Sequence, residues 1–168
     1  MTASPVQIEA RGRFFRLSVE RALPADPERV FAFFAEPRNL ERITPPWLRF
    51  RIVDEPPAME AGARIHYRLR LHGIPLGWHT EITGWSPPQR FVDVQRRGPF
   101  ALWEHEHTFE ATNGGTLMRD TVDYSMALPR VSNRLVVARD LRAIFEYRHA
   151  VIPAAVGATE PQSEPEAA

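Results

Sequence analysis

The 168-residue chain has no cysteine. That excludes thiol nucleophiles, disulfides and thiolate metal sites, and leaves the redox compartment open. It has no lysine either, since all 21 basic residues are arginine, so Schiff-base and lysine-nucleophile chemistry are impossible. The 21 acidic residues balance those arginines to a formal charge of zero. No global field then favours nucleic acid or an anionic surface, and no nucleic-acid partner is expected. No apolar run approaches the roughly 18 residues that cross a bilayer, so stable membrane insertion is not expected. The opening M-T-A-S-P-V-Q-I-E lacks a basic start followed by an apolar run, hence no signal peptide is expected. Nor is there an internal repeat. The expectation is a soluble cytoplasmic protein.

An apolar fraction of 43% and a charged fraction of 25% suit one globular domain with a proper core. The informative stretch is G-P-F-A-L-W-E-H-E-H-T-F-E-A-T-N-G-G-T-L-M-R-D-T-V-D-Y-S-M at 98–126. Successive strand side chains point to opposite faces. Trp103, His105, His107 and Phe109 therefore share one face, and Glu104, Glu106, Thr108 and Glu110 the other, which must be the wet one. Asn113-Gly114 is a strong hairpin signal. Any even-length loop centred there pairs His107 with Asp120, His105 with Val122, Trp103 with Tyr124 and Phe109 with Met118, all on the dry face. One hairpin thus supplies two histidines, an aspartate, a tyrosine and a tryptophan to an otherwise apolar interior.

Elsewhere residues 1–12 read as a flexible segment. Phe15, Leu17 and Val19 alternate with polar residues as a half-buried first strand. Asp26-Pro27-Glu28 is an N-cap, first-turn proline and dipole-favoured acid for a short aromatic helix over Val30, Phe31, Phe33 and Phe34, which Pro37 breaks. Asn39 to Ile43 reads as a second short helix, closed by Pro45-Pro46. Leu48, Phe50 and Ile52 then alternate as a strand, followed by the Ile65–Leu71 set and the inward set Leu76, Trp78, Thr80 and Ile82. The inner face of 91–96 stays open. A two-residue Gly98-Pro99 turn sends Val92 and Val94 inward, and a bulged one sends Phe91, Asp93 and Gln95. From Ser132 the period returns to 3.6. Leu135, Ala138, Leu141, Phe145 and Ile152 line a helix of about 20 residues, with Arg148 on the flank. Pro153 ends the expected domain of 13–153, and 154–168 reads as a disordered tail rich in Pro, Glu and Ala. The fold class is α+β, with six or seven antiparallel strands wrapped around one long helix.

This element order, together with F-F-A-E-P-R-N-L-E-R-I-T-P-P at 33–46, F-V-D-V-Q-R-R-G-P-F-A-L-W-E-H-E-H-T-F at 91–109 and G-G-T-L-M-R-D-T-V-D-Y at 114–124, resembles the helix-grip fold of the START/Bet v 1-like (SRPBCC) superfamily. It is similar in particular to the bacterial ligand-binding branch labelled polyketide cyclase/dehydrase, over roughly residues 12–153. The resemblance implies a cavity between sheet and C-terminal helix that takes a hydrophobic or amphipathic, lipid- or polyketide-like small molecule. It also implies that Asp93 and Gln95 face that cavity, against the vote of hydrophobicity alone.

The expected ligand-binding set is Trp78, Asp93, Gln95, Trp103, His105, His107, Phe109, Met118, Asp120, Tyr124, Leu141, Phe145 and Arg148. Trp78, Trp103, Tyr67 and Tyr124 read as ligand walls or as core, core being the commoner place for aromatics in alternating strands. Arg148 suits a ligand carboxylate or phosphate, which guanidinium pairs bidentately, or a salt bridge to Asp93 or Asp120. His107 and Asp120 read as a mutually satisfied structural pair or as a general base, with Tyr124 beside them, in a cyclase/dehydratase-type enzyme. A structural or interaction module with a filled core is a third reading. His105 and His107 could share a metal with Asp120, but no further histidine upstream completes the set, so neither metal nor cofactor is expected. Oligomeric state is not legible.

Overall fold

Alternation does in space what it promises in the sequence. The structure, a computed structural model, describes residues 3–126 and 131–158, the side chains of 131–134 apart. Eight strands form one antiparallel sheet in the order β1-β2-β8-β7-β6-β5-β4-β3. They are β1 (Gln7–Arg11), β2 (Phe14–Leu23), β3 (Arg51–Ile52), β4 (Arg64–Leu71), β5 (Ile74–Ser86), β6 (Arg90–Arg97), β7 (Phe100–Thr112) and β8 (Gly115–Met126). Two short helices, α1 (Pro27–Phe34) and α2 (Asn39–Ile43), follow β2, and the long α3 (Val131–Gly157) closes the chain. This is the expected α+β helix-grip arrangement, with α3 lying in the curve of the sheet. Among the described residues no helix is long and apolar enough to cross a membrane.

The β7–β8 register is the one that the Asn113-Gly114 turn dictates: His107 opposes Asp120, His105 opposes Val122, Trp103 opposes Tyr124 and Phe109 opposes Met118. Gly115 closes that turn at φ +132, where a Cβ would lie 2.1 Å from the Leu23 carbonyl oxygen. Only glycine lets the two backbone segments approach so closely. Gly115→Ala is therefore expected to lower stability by about 1–3 kcal/mol, read as a shifted urea midpoint. A change below about 0.5 kcal/mol would show that the turn relaxes freely.

Four expectations need correction. Gln7–Arg11, read as flexible, is an edge strand paired with β2 through a turn at Gly12, whose φ is +63. Its neighbour Val6 and its own Ile8 pack on the core, and that contact holds it down. The stretch Leu48–Ile52 alternates correctly, yet most of it is not strand. Pro46–Leu48 is a single 3₁₀ turn, Arg49 is left-handed at φ 45, and only Arg51–Ile52 join the sheet. With β1 and the two-residue β3, the strand count rises to eight. Finally, α3 runs through Pro153 to Gly157. The proline removes one backbone donor, but Ile152 and Val156, both buried, anchor the helix on either side of it. Secondary structure thus continues beyond residues 13 and 153; the remainder of the expected tail, 159–168, lies outside the described residues.

The helix starts follow their signals. Asp26 caps α1 by accepting from the Arg29 amide at 2.7 Å. Arginines on the outer face meet acids, as in Arg64–Glu81 at 2.9 Å and Arg16–Asp123 at 2.6 Å, which is how a solvated charged face is built. The core forms two apolar clusters. One gathers Phe33, Phe91, Phe109, Met118 and Ile152, and the other Leu17, Trp103, Val122, Leu141 and Phe145. Along β7, β8 and α3 alike, polar residues sit between the members of the two clusters.

Candidate functional site

Three neighbouring strands and α3 deliver that polar layer. β7 brings His105 and His107, whose rings lie 3.8 Å apart. β8 brings Asp120, which has no solvent exposure. β6 brings Asp93, directly opposite His105. His105 Nε2 is hydrogen-bonded to Asp120 Oδ1 at 3.2 Å, and His107 Nε2 to Asp93 Oδ2 at 3.3 Å. His107 Nδ1 lies 2.7 Å from Asp120 Oδ1 but off the line of a hydrogen bond, so this contact is an ion pair. His105 Nδ1 stands 3.6 Å from Asp93 Oδ2. From α3, His149 Nε2 reaches the other Asp120 oxygen at 2.7 Å. Thr80 Oγ1 donates to Asp93 Oδ1 at 3.1 Å. Aromatic rings clamp the imidazoles: Phe91 stacks on His107 at 4.1 Å and Phe145 sets its edge against His105 at 5.5 Å.

Burial alone would raise the Asp120 carboxyl, but the charge of His107 and hydrogen bonds from His105 and His149 outweigh it and hold the group well below the usual carboxylate range. Asp93 shows the same contest on a smaller scale, burial against the two histidines and Arg148, and it too ends below its ordinary value. Burial opposes charge on both histidines. For His107 the Asp120 carboxylate prevails and the pKa rises. For His105 burial and the neighbouring His107 prevail and the pKa falls.

Beside the network lies a cavity of about 230 Å³ between the sheet, α1, α2 and α3. Its walls are mostly hydrocarbon and aromatic, from Phe34, Tyr67, Leu69, Trp78, Ile144 and Phe145 among others, and Asp93, His105, His107 and Arg148 supply its polar corner. Arg148 passes over the Phe34 ring at 5.9 Å. Its Nε is buried with no hydrogen-bond partner, and it forms no ion pair among the described residues. At the rim, His72 of the β4–β5 turn meets Asp140 of α3 at 2.7 Å.

Residues 23–146 match the family described as polyketide cyclase / dehydrase and lipid transport. The chain belongs to that family. Solved structures share its fold. The protein TTHA0849 of Thermus thermophilus aligns with a TM-score of 0.70 at 21% identity, covering 85% of this chain and 97% of the other. Ms6760 of Mycobacterium smegmatis aligns at 0.67 and 21%, covering 93% and 100%. Ara h 8.0201 aligns at 0.59 and 14%, covering 83% and 97%. With the family match, these shared folds bear out the START/Bet v 1-like (SRPBCC) resemblance. No curated protein matches the sequence.

Within this polyketide cyclase/dehydrase-family fold, the cavity wall includes Trp78, Asp93, Trp103, His105, His107, Leu141, Phe145 and Arg148 of the expected set. The other five stand elsewhere. Gln95 folds over Gly98 and holds the β6–β7 turn, donating to the Phe100 carbonyl at 2.7 Å. Phe109 and Met118 belong to the apolar cluster under α1. Tyr124 stacks on Phe15 at 5.6 Å and sits behind the wall residues Phe100 and Trp103 rather than in the wall. Asp120 stands behind the histidines rather than in the wall. The bulged option at 91–96 is the one adopted, with Phe91 and Asp93 inward and Val92 buried on the opposite face against Gly84. Arg148 has neither of its expected salt-bridge partners. His149 escapes the sequence reading although its signal is present: it stands four residues after Phe145 and three before Ile152, at a core position of the helical stripe.

Proposed function

We propose that the protein binds an amphipathic small molecule, with an apolar body in the cavity and an anionic group on Arg148. The observation that carries this reading is the Arg148 side chain, which reaches the wall of a largely apolar cavity with its Nε buried and unpartnered. A buried donor without an acceptor costs free energy, and a guanidinium is matched in shape to a carboxylate or phosphate. A pocket with apolar walls and a few convergent polar groups is the usual form of a small-molecule site. The lipid- or polyketide-like partner inferred for this family fits such a pocket, and a cavity in the middle of the fold disfavours a purely structural module with a filled core.

The test uses two fluorescent probes: anilinonaphthalene sulfonate, which is apolar and anionic, and Nile red, which is apolar and uncharged. Both are expected to bind once per native chain. Phe145 is buried on the α3 face of the cavity, so Phe145→Trp should intrude on the site and weaken both probes about tenfold. A folded variant, judged by near-ultraviolet circular dichroism, with unchanged affinities would place the site elsewhere.

A second reading, acid–base catalysis of a cyclisation or dehydration, is favoured by one feature. His105 and His107 face the cavity while Asp120 orients both from behind, which is the relation of a general base to its orienting carboxylate.

A further inference from the structure

Four imidazole nitrogens face two carboxylates in the β6–β8 layer, and ordinary protons do not satisfy them. At the back, His105 Nε2 and His107 Nδ1 address Asp120 at 3.2 and 2.7 Å. At the front, His105 Nδ1 and His107 Nε2 address Asp93 Oδ2 at 3.6 and 3.3 Å. A neutral imidazole carries one N–H and one lone pair. Two neutral rings therefore bring two protons to four contacts, and two nitrogen lone pairs face carboxylate oxygens. Charging one ring leaves one such clash. Charging both puts two cations on rings whose centres are 3.8 Å apart.

The front distances are long for hydrogen bonds, whose usual span is about 2.7–3.2 Å. They are the right length for something else. Ligands about 2.0–2.1 Å from a tetrahedral ion stand roughly 3.3 Å from one another. Asp93, His105 and His107 each offer a ligand atom within 4.8 Å of those of the other two.

We propose that Asp93, His105 and His107 hold a divalent first-row transition cation, with Asp120 as the carboxylate behind both histidines. A cation at the front takes both lone pairs and the Asp93 oxygen. Each histidine then turns its remaining N–H towards Asp120, which fixes the tautomers as outer-shell carboxylates do at metal-bound histidines. Thr80 holds the free Asp93 oxygen. Two imidazoles and one carboxylate, with no thiolate available anywhere in the chain, suit zinc or iron rather than calcium or magnesium. All three ligand residues line the cavity, so the remaining coordination positions face it, where water or a carbonyl oxygen of a bound molecule would complete the shell. This reverses the expectation of no metal, and it replaces Asp120 by Asp93 as the third ligand. The site stands on β6 and β7 whether or not Arg148 receives an anionic group.

The experiment strips the full-length protein with chelator and titrates it with zinc chloride by calorimetry. One zinc per chain is expected, and Asp93→Asn should weaken it by roughly 100-fold or more. The surface offers a decoy, since the His66 and His79 rings lie 4.1 Å apart, tilted, with Asp54 beside His66. Binding should therefore survive His66→Ala combined with His79→Ala. Long-range nitrogen–proton NMR of the native protein's histidine rings gives a readout that needs no stable variant. Zinc should move the ring nitrogens of His105 and His107 and leave those of His66 and His79 in place. No binding by the native chain overturns the proposal. So does binding that persists in folded Asp93→Asn, or zinc shifts confined to His66 and His79.

Discussion

Asp120→Leu is expected to destabilise the protein by about 3–5 kcal/mol, the range for removing one partner from a buried charged cluster. Leucine preserves the volume and strips three imidazoles, His105, His107 and His149, of the carboxylate on which they converge. His149 is what lifts the effect above the loss of a single histidine's partner, since its other ring nitrogen is buried without a hydrogen bond and it has no solvent exposure. Asp120→Asn should cost less, because the amide still offers one acceptor oxygen. Urea unfolding of both variants checks the order, and a Leu variant within about 1 kcal/mol of native would contradict it. The acid limb carries the same signature. Since the folded Asp120 pKa lies well below its unfolded value of about 3.9, its stabilisation is complete above that value and is lost as pH falls through the folded one. His107 runs the other way: with a raised folded pKa, its contribution is present below about pH 6.5 and is lost as pH rises through the folded value. In chelator-treated protein, Asp120→Asn should flatten the acid limb.

Arg148→Leu is expected to weaken anilinonaphthalene sulfonate by about 10- to 100-fold, the equivalent of one charged hydrogen bond of about 1.5–3 kcal/mol. Nile red, with nothing for a guanidinium to pair, should bind the variant within about twofold of native, because leucine keeps the apolar part of the wall. The contrast between probes is the point of the experiment. Equal losses would mean that Arg148 shapes the cavity through its packing over Phe34, and no loss with either probe would remove it from the site. Asp93 offers an internal check. Arg148 contributes to its depressed pKa, so the Asp93 carboxyl should move up when the guanidinium is gone.

Much of this architecture is legible in the residues, and the reasons are local. The β7–β8 pairing follows from Asn113-Gly114 and strict alternation, both of which act within one hairpin. The α1 start follows from Asp26-Pro27, again within a turn. What stays hidden depends on contacts across the fold. Nothing near residue 153 announces that α3 continues, because the anchoring of Ile152 and Val156 is tertiary. The left-handed Arg49 breaks an alternation that reads well on paper. His149 sits 29 residues from its partner Asp120 in sequence, on an element of different period. Gln95 departs from its expected place for another reason: its face is right for the cavity, but the turn that follows captures its amide.

The His149–Asp120 bond has a consequence for where α3 stops along its own axis. Its buried stripe, Leu141, Phe145, Ile152 and Val156, is hydrocarbon at every step but one. A slide of one turn, about 5.4 Å, would exchange one apolar residue for another at most contacts, and burial by area could scarcely distinguish the two seatings. His149 removes the degeneracy. In a slipped helix it would face hydrocarbon while Asp120 met Phe145 or Ile152, and both would lose their partner. The pair works as a dowel that sets the depth to which the helix is driven into the sheet. Because Phe145 and Arg148 ride on the same helix and line the cavity, that one peg also sets the cavity's depth.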